Sequence, residues 1–179
     1  MKSPANTGET AALASALIEH DIPYLRVPVA STSGKTGESV PPATLIHALA
    51  QSTDARGNEA LIPLFLRHPE YHHFVPAIVC ALDTRSEQTL RHFYTAAVYL
   101  QHLWHGSLTL YLGAFAELPD YFGENDFGLP SPQAHWGEVG LRQLAARFGK
   151  ETGVDWLTVY ESAIARFFAQ QQLQSTGKP

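Results

Sequence analysis

The sequence predicts an all-α protein: a compact bundle of about six or seven helices around a long central helix at about residues 85–115, with an irregular N-terminal arm. Three observations predict it. Apolar residues recur at three- and four-residue spacing through most of the chain, the period of a helix with one buried face. Prolines and small polar residues fall between those runs, where helices start and stop. Residues 92–116, HFYTAAVYLQHLWHGSLTLYLGAFA, contain no Asp, Glu, Lys or Arg, although a helix with one side in water normally keeps charges there.

The elements follow in order. Residues 1–8 are small and polar. Leu13, Leu17 and Ile18 mark a short helix over 9–20, with Thr7 as its N-cap. Residues 22–29 hold Pro23 and Pro28, which bars them from a central strand, and 30–40 (ASTSGKTGESV) read as flexible loop. Pro41-Pro42 opens a helix to about residue 51, with Leu45, Ile46 and Leu49 inward. Asp54 caps a helix over 55–67, kinked or with its first turn lengthened at Pro63; Pro69 starts another over 69–81, which Pro76 bends or whose first part it ends. Asp83 or Thr84 caps the central helix, with Gly106 and Gly113 as weak points. Residues 117–131 (ELPDYFGENDFGLPS) form a long loop. Ser131 caps a helix that begins at Pro132 and ends at Gly149, and Asp155 caps the last helix, 156 to about 173. The organisation is thus an N-terminal helix and arm over 1–40, a bundle domain over 41–173, and a disordered tail over 174–179.

Placed at 100° per residue, the central helix shows two faces. Leu90, Phe93, Ala97, Leu100, Trp104, Leu108, Tyr111 and Phe115 cluster on one side as the core stripe. Opposite lie His92, Thr95, Tyr99, His102, Gly106 and Thr109. That uncharged second face is expected to be covered, by a second copy or a protein partner, because interface cores favour aromatic over charged residues. Tyr121, Phe122 and Phe127 pin the 117–131 loop to the bundle or, together with Trp136, dock a partner.

Composition narrows the function classes. The chain has 179 residues, a formal net charge of −5, and 16% charged residues against a usual value of about 25%. No basic stripe marks a DNA- or RNA-backbone binder, so no DNA partner is expected. The 92–116 run is long enough for a membrane span, yet it holds three His, a Gln, a Ser and two Thr without flanking basic clusters, so no membrane insertion is expected. The single Cys80 excludes an internal disulfide, and a cytoplasmic protein is the expectation. Cys80 lies in an apolar run, AIVCAL, that predicts a buried, inert thiol.

Candidate chemistry is sparse. His68, His72 and His73 surround a helix start, and His102 and His105 are three apart, spacings that can share a metal ion; no HExxH or CxxC accompanies them, and no cofactor is expected. Ser33-Gly34-Lys35-Thr36 follows an extended segment as a phosphate loop would, but Val29 stands where that motif needs its first glycine. Arg85 and His92 are spaced R-x6-H. That pair resembles the R-x4–6-H motif of HEPN domains, helical bundles of which many are metal-independent RNases. The resemblance covers these two positions and implies a shared cleft acting on a phosphodiester. The leading expectation is a non-enzymatic protein-interaction or regulatory module, acting as a homo-oligomer or as the partner of an enzyme. A nuclease using Arg85 and His92 and a His-based metal-binding protein are the alternatives.

Overall fold

A computed structural model describes residues 5–25 and 39–176, and among them every regular element is helical. The order is α1 (Ala5–Glu19), α2 (Pro42–Gln51), α3 (Ala55–Glu59), α4 (Leu61–Arg67), a 3-10 turn (Pro69–Phe74), α5 (Val75–Ala81), α6 (Thr84–Leu103), α7 (His105–Leu112), a second short turn (Ala134–Gly137), α8 (Glu138–Thr152) and α9 (Trp156–Thr176). No helix among them is long and apolar enough to cross a membrane. Residues 33–36 and most of the expected flexible loop lie outside the described residues.

Prolines divide two helices: the sequence expects a kink or a lengthened first turn at Pro63, where the helix is split, and a bend or a break at Pro76, where it breaks. The 55–67 helix is split at Ala60, because Pro63 has no N–H to offer the carbonyl of residue 59. The 69–81 helix becomes a 3-10 turn followed by α5, with Pro76 in the first turn of α5, where a missing N–H costs nothing. Asp54 caps α3 as expected, its carboxylate accepting the Arg56 N–H at 3.3 Å. Asp83 caps α6 more fully, accepting from the Arg85 N–H, the Ser86 N–H and the Ser86 hydroxyl at 3.0, 3.1 and 2.7 Å.

Five boundaries differ from expectation. The alanine-rich α1 is already helical at Ala5, so Thr7 lies within it instead of capping it, and Ile18 points outward at 51% exposure. The central helix stops at Leu103: Trp104 leaves helical geometry at φ −107, ψ 20, and α7 resumes for eight residues until Gly113 at φ 76. The helix expected from Pro132 begins at Glu138, because His135, Trp136 and Gly137 all take left-handed backbone, and the Ser131 hydroxyl bonds Gln133 instead of a helix N–H. That helix then runs past Gly149 to Thr152, with Gly153 at φ 71 supplying the left-handed stop. The last helix continues through Thr176, so 174–176 are helical and not a tail. Cys80 is exposed, not buried, because α5 turns that side of its apolar run outward.

α6 is the axis of the core and packs against α2, α4, α5, α8 and α9. Leu90, Phe93, Ala97 and Leu100 are buried as predicted. So is nearly everything else from His92 to Gln101. A helix buried all round needs no charged face, which explains the first half of the uncharged run.

Candidate functional site

The polar face of α6 is covered from within the chain. The Tyr99 ring lies across Gly140 of α8, and its hydroxyl donates to the Pro130 carbonyl at 2.6 Å. Thr95 is fully buried, and His102 is half-buried beside Gly137. His92 stacks on Phe148 of α8 with ring centroids 3.8 Å apart, meets Trp156 edge-on, and its Nε2 is 2.5 Å from the Tyr160 hydroxyl of α9. α8, α9 and the loop therefore stand where a partner was expected. The periodicity shows that the face is covered, but not by which chain.

The 117–131 loop is pinned from α6. Gln101 donates to the Ala116 carbonyl at 3.1 Å and accepts the Leu118 N–H at 2.7 Å. The Tyr94 hydroxyl donates to the Pro119 carbonyl at 2.8 Å, and its ring stacks on Tyr121. Phe122 is buried under the Arg91 guanidinium, which pairs with Asp126 and, at 2.6 Å, with Glu87. Phe127 packs edge-on to Phe148. Of the loop aromatics and their neighbour, Trp136 alone stands out in solvent, at 76% exposure. It follows His135 in left-handed backbone, φ 51 and 56, a conformation that costs of order 1 kcal/mol or more for each non-glycine residue. Gly137 sets this geometry: a Cβ there would lie 2.6 Å from the Tyr99 carbonyl oxygen.

Arg85 and His92 do share a cleft. Asn58 of α3, Arg85 and His92 of α6, Phe148 and Glu151 of α8 and Trp156 of α9 are among the residues that line a space of about 280 Å³. Burial pushes the His92 imidazole down to about 3, and burial likewise raises the Tyr160 hydroxyl. Both are neutral at pH 7. The Tyr160 hydroxyl has no other acceptor among the described residues, so its O–H donates to Nε2 and the ring proton sits on Nδ1. A neutral imidazole this reluctant to ionise is a poor general base near neutrality, where an effective base titrates close to the working pH. What it offers the cleft is one N–H donor.

The histidines near the first 3-10 turn serve the fold. His68 bonds Glu70 at 3.0 Å through Nδ1 and the His20 carbonyl at 2.8 Å through Nε2. His20 in turn bonds the Tyr71 hydroxyl and the Val40 carbonyl, both at 2.8 Å, tying α1 to the start of α2. His72 bonds the Tyr121 hydroxyl at 2.8 Å and is tilted against His73; burial first, and His73 second, lowers its affinity for a proton. Among the described residues no group of three or more His, Cys, Asp or Glu side chains could hold a metal ion.

The remaining uncharged residues behave differently from those of α6. From Trp104 to Ala116 most side chains are on the surface, with Leu110 at 80% and Trp104 at 38% exposure. Leu173 of α9, at 74%, is also exposed, and α9 lies alongside α7, Gln172 donating to the Tyr111 hydroxyl at 2.8 Å. Angular reasoning missed this surface because it continued α6 straight through Trp104. No family model, curated protein or solved structure matches the chain.

Proposed function

We propose that this chain is a protein-interaction module that self-associates through the α7 surface. The supporting observation is Leu110, an apolar side chain 80% exposed on a helix without a single charge. A free surface helix ordinarily carries Lys and Glu on its outer side. An uncharged face is also suited to a second copy in particular. A twofold interface sets like residues near one another, so any charged residue near the axis would meet its own sign. The rest of the molecule carries the −5 net charge and disfavours other modes of self-contact. Trp104, next to α7 in the chain, and Leu173 of α9, which packs alongside α7, are exposed apolar side chains as well. A cytoplasmic setting and the lack of a DNA partner belong to the same reading.

Leu110→Glu tests it. Leu110 is too exposed for the change to disturb the core, so thermal unfolding measured at low protein concentration stays the same. Light scattering of the unaltered chain gives the mass of a dimer or larger species at tens of micromolar, and the variant gives a monomer. A monomeric unaltered chain, or a variant of unchanged mass, overturns the proposal.

A further inference from the structure

α8 and the start of α9 leave an open groove between them. α8 ends where Gly153 takes left-handed backbone at φ 71, and the chain turns back so that residues 154–157 line one side of the groove and α8 the other. On the α8 side Ala146 and Gly149 are too small to fill the gap, and a space of about 650 Å³ remains. The opposite wall is apolar, formed by Trp156, Leu157 and Val154, the last at 41% exposure. Arg142 and Lys150, about 12 Å apart along α8, line the same groove. No described carboxylate pairs with Lys150, and the Arg142 pair with Glu138 is exposed on both sides, a kind of pair that contributes at most about 1 kcal/mol. The Asp155 carboxylate is turned toward α9 instead, accepting from the Thr158 hydroxyl at 2.7 Å and the Thr158 N–H at 3.4 Å. The groove therefore joins an apolar wall to a cationic edge, although the chain as a whole is negative at −5. No residue of α7 lines it.

Each feature sets the chemistry of an occupant. An apolar wall open to water favours apolar side chains. Strand addition needs an unpaired sheet edge, and among the described residues there is no strand. A helix can lay apolar residues three and four positions apart along such a wall, and the small side chains of Ala146 and Gly149 let its backbone come close. Two cations on one edge match carboxylates about two turns apart on the incoming helix. Exposed charges act over about 8 Å at physiological ionic strength, so a ligand in the groove senses Arg142 and Lys150 more than the charge of the whole chain.

We propose that the groove between α8 and α9 is a docking site for an acidic amphipathic helix of a partner protein, its apolar face on Val154, Trp156 and Leu157 and its carboxylates on Arg142 and Lys150. The site is separate from the α7 surface, and either can stand without the other.

Three synthetic peptides, each about four helical turns long, test the proposal when titrated into the full chain and followed by NMR at the Trp156 indole N–H. The first has leucine at three- and four-residue spacing and glutamate along one flank. The second has lysine in place of each glutamate, and the third keeps the composition of the first in an order without helical periodicity. The first is expected to move the Trp156 signal saturably, with Kd on the order of 100 μM, and the other two to bind at least about tenfold more weakly. Arg142→Glu combined with Lys150→Glu reverses the preference, so that the lysine peptide binds the more tightly. Both positions are exposed, so the helical circular dichroism of the double variant stays unchanged. Absence of saturable shifts with the first peptide up to about ten times that Kd, equal binding of the second or third, or a double variant that still prefers glutamate overturns the proposal.

Discussion

Gly140 of α8 sits directly beneath the Tyr99 ring of α6: a Cβ at position 140 would lie 2.0 Å from Tyr99 Cε1. The contact lets the two helices close over a fully buried tyrosine whose hydroxyl reaches the Pro130 carbonyl. Gly140→Ala gains helix propensity of about 1 kcal/mol. It must also displace a ring that has no free volume to enter, and overpacking of this kind costs about 1–3 kcal/mol. The clash is severe, so the expected net loss is about 1–2 kcal/mol, seen as a fall in Tm of about 2–8 °C. An unchanged or raised Tm would show that Tyr99 moves aside freely.

Stability should depend on pH through His92. Its folded-state pKa is pushed down to about 3 by burial, while the unfolded imidazole titrates near 6.5. Above pH 6.5 neither state binds the proton, and the stability is fully present. Below 6.5 the unfolded state gains a proton that the folded state refuses, so stability falls as pH falls, by about 1.4 kcal/mol per unit until about pH 3. Urea unfolding at pH 6.5 and 4.5 should therefore differ by roughly 2 kcal/mol from this group. In the double variant His92→Phe, Tyr160→Phe, which removes both ends of the hydrogen bond, that share of the pH dependence disappears. A double variant with the same pH slope as the original would assign it to other groups.

Gln101 secures the exit from α7. Its side chain satisfies the Ala116 carbonyl and the buried Leu118 N–H at once. Gln101→Ala leaves that N–H without its acceptor, at a cost of about 1–3 kcal/mol. Much of the penalty falls locally, so the 117–131 loop should open before the bundle unfolds. Limited chymotrypsin digestion checks this at Tyr121, Phe122 and Phe127, where the variant is cut faster while its helical circular dichroism stays unchanged at the same temperature. Equal cutting rates would mean that Tyr94 and Tyr99 hold the loop unaided.

Cys80 is exposed and free. A disulfide-exchange reagent such as dithionitrobenzoate should modify one thiol per chain without denaturant, at the rate of an ordinary accessible cysteine. Labelling that requires denaturant would return Cys80 to the interior.

The sequence by itself determined the fold class and much of the chain's punctuation. Asp54 and Asp83 cap where expected, and Pro42 and Pro69 open elements, because capping and proline effects act within a few residues of sequence. It also set aside the 92–116 stretch as unfit for a helix with one side in ordinary contact with water. Tertiary structure alone decided what covers that stretch. Tyr99 and His92 are enclosed by Gly140, Phe148 and Tyr160, residues 41 to 68 positions away in the chain, and helical periodicity cannot report such pairings. The break at Trp104 then divides the uncharged run into a core segment and a surface segment. Lack of charge means interior packing for the first and, on our proposal, a second copy for the other, since absence of charge only says that water is not the expected neighbour.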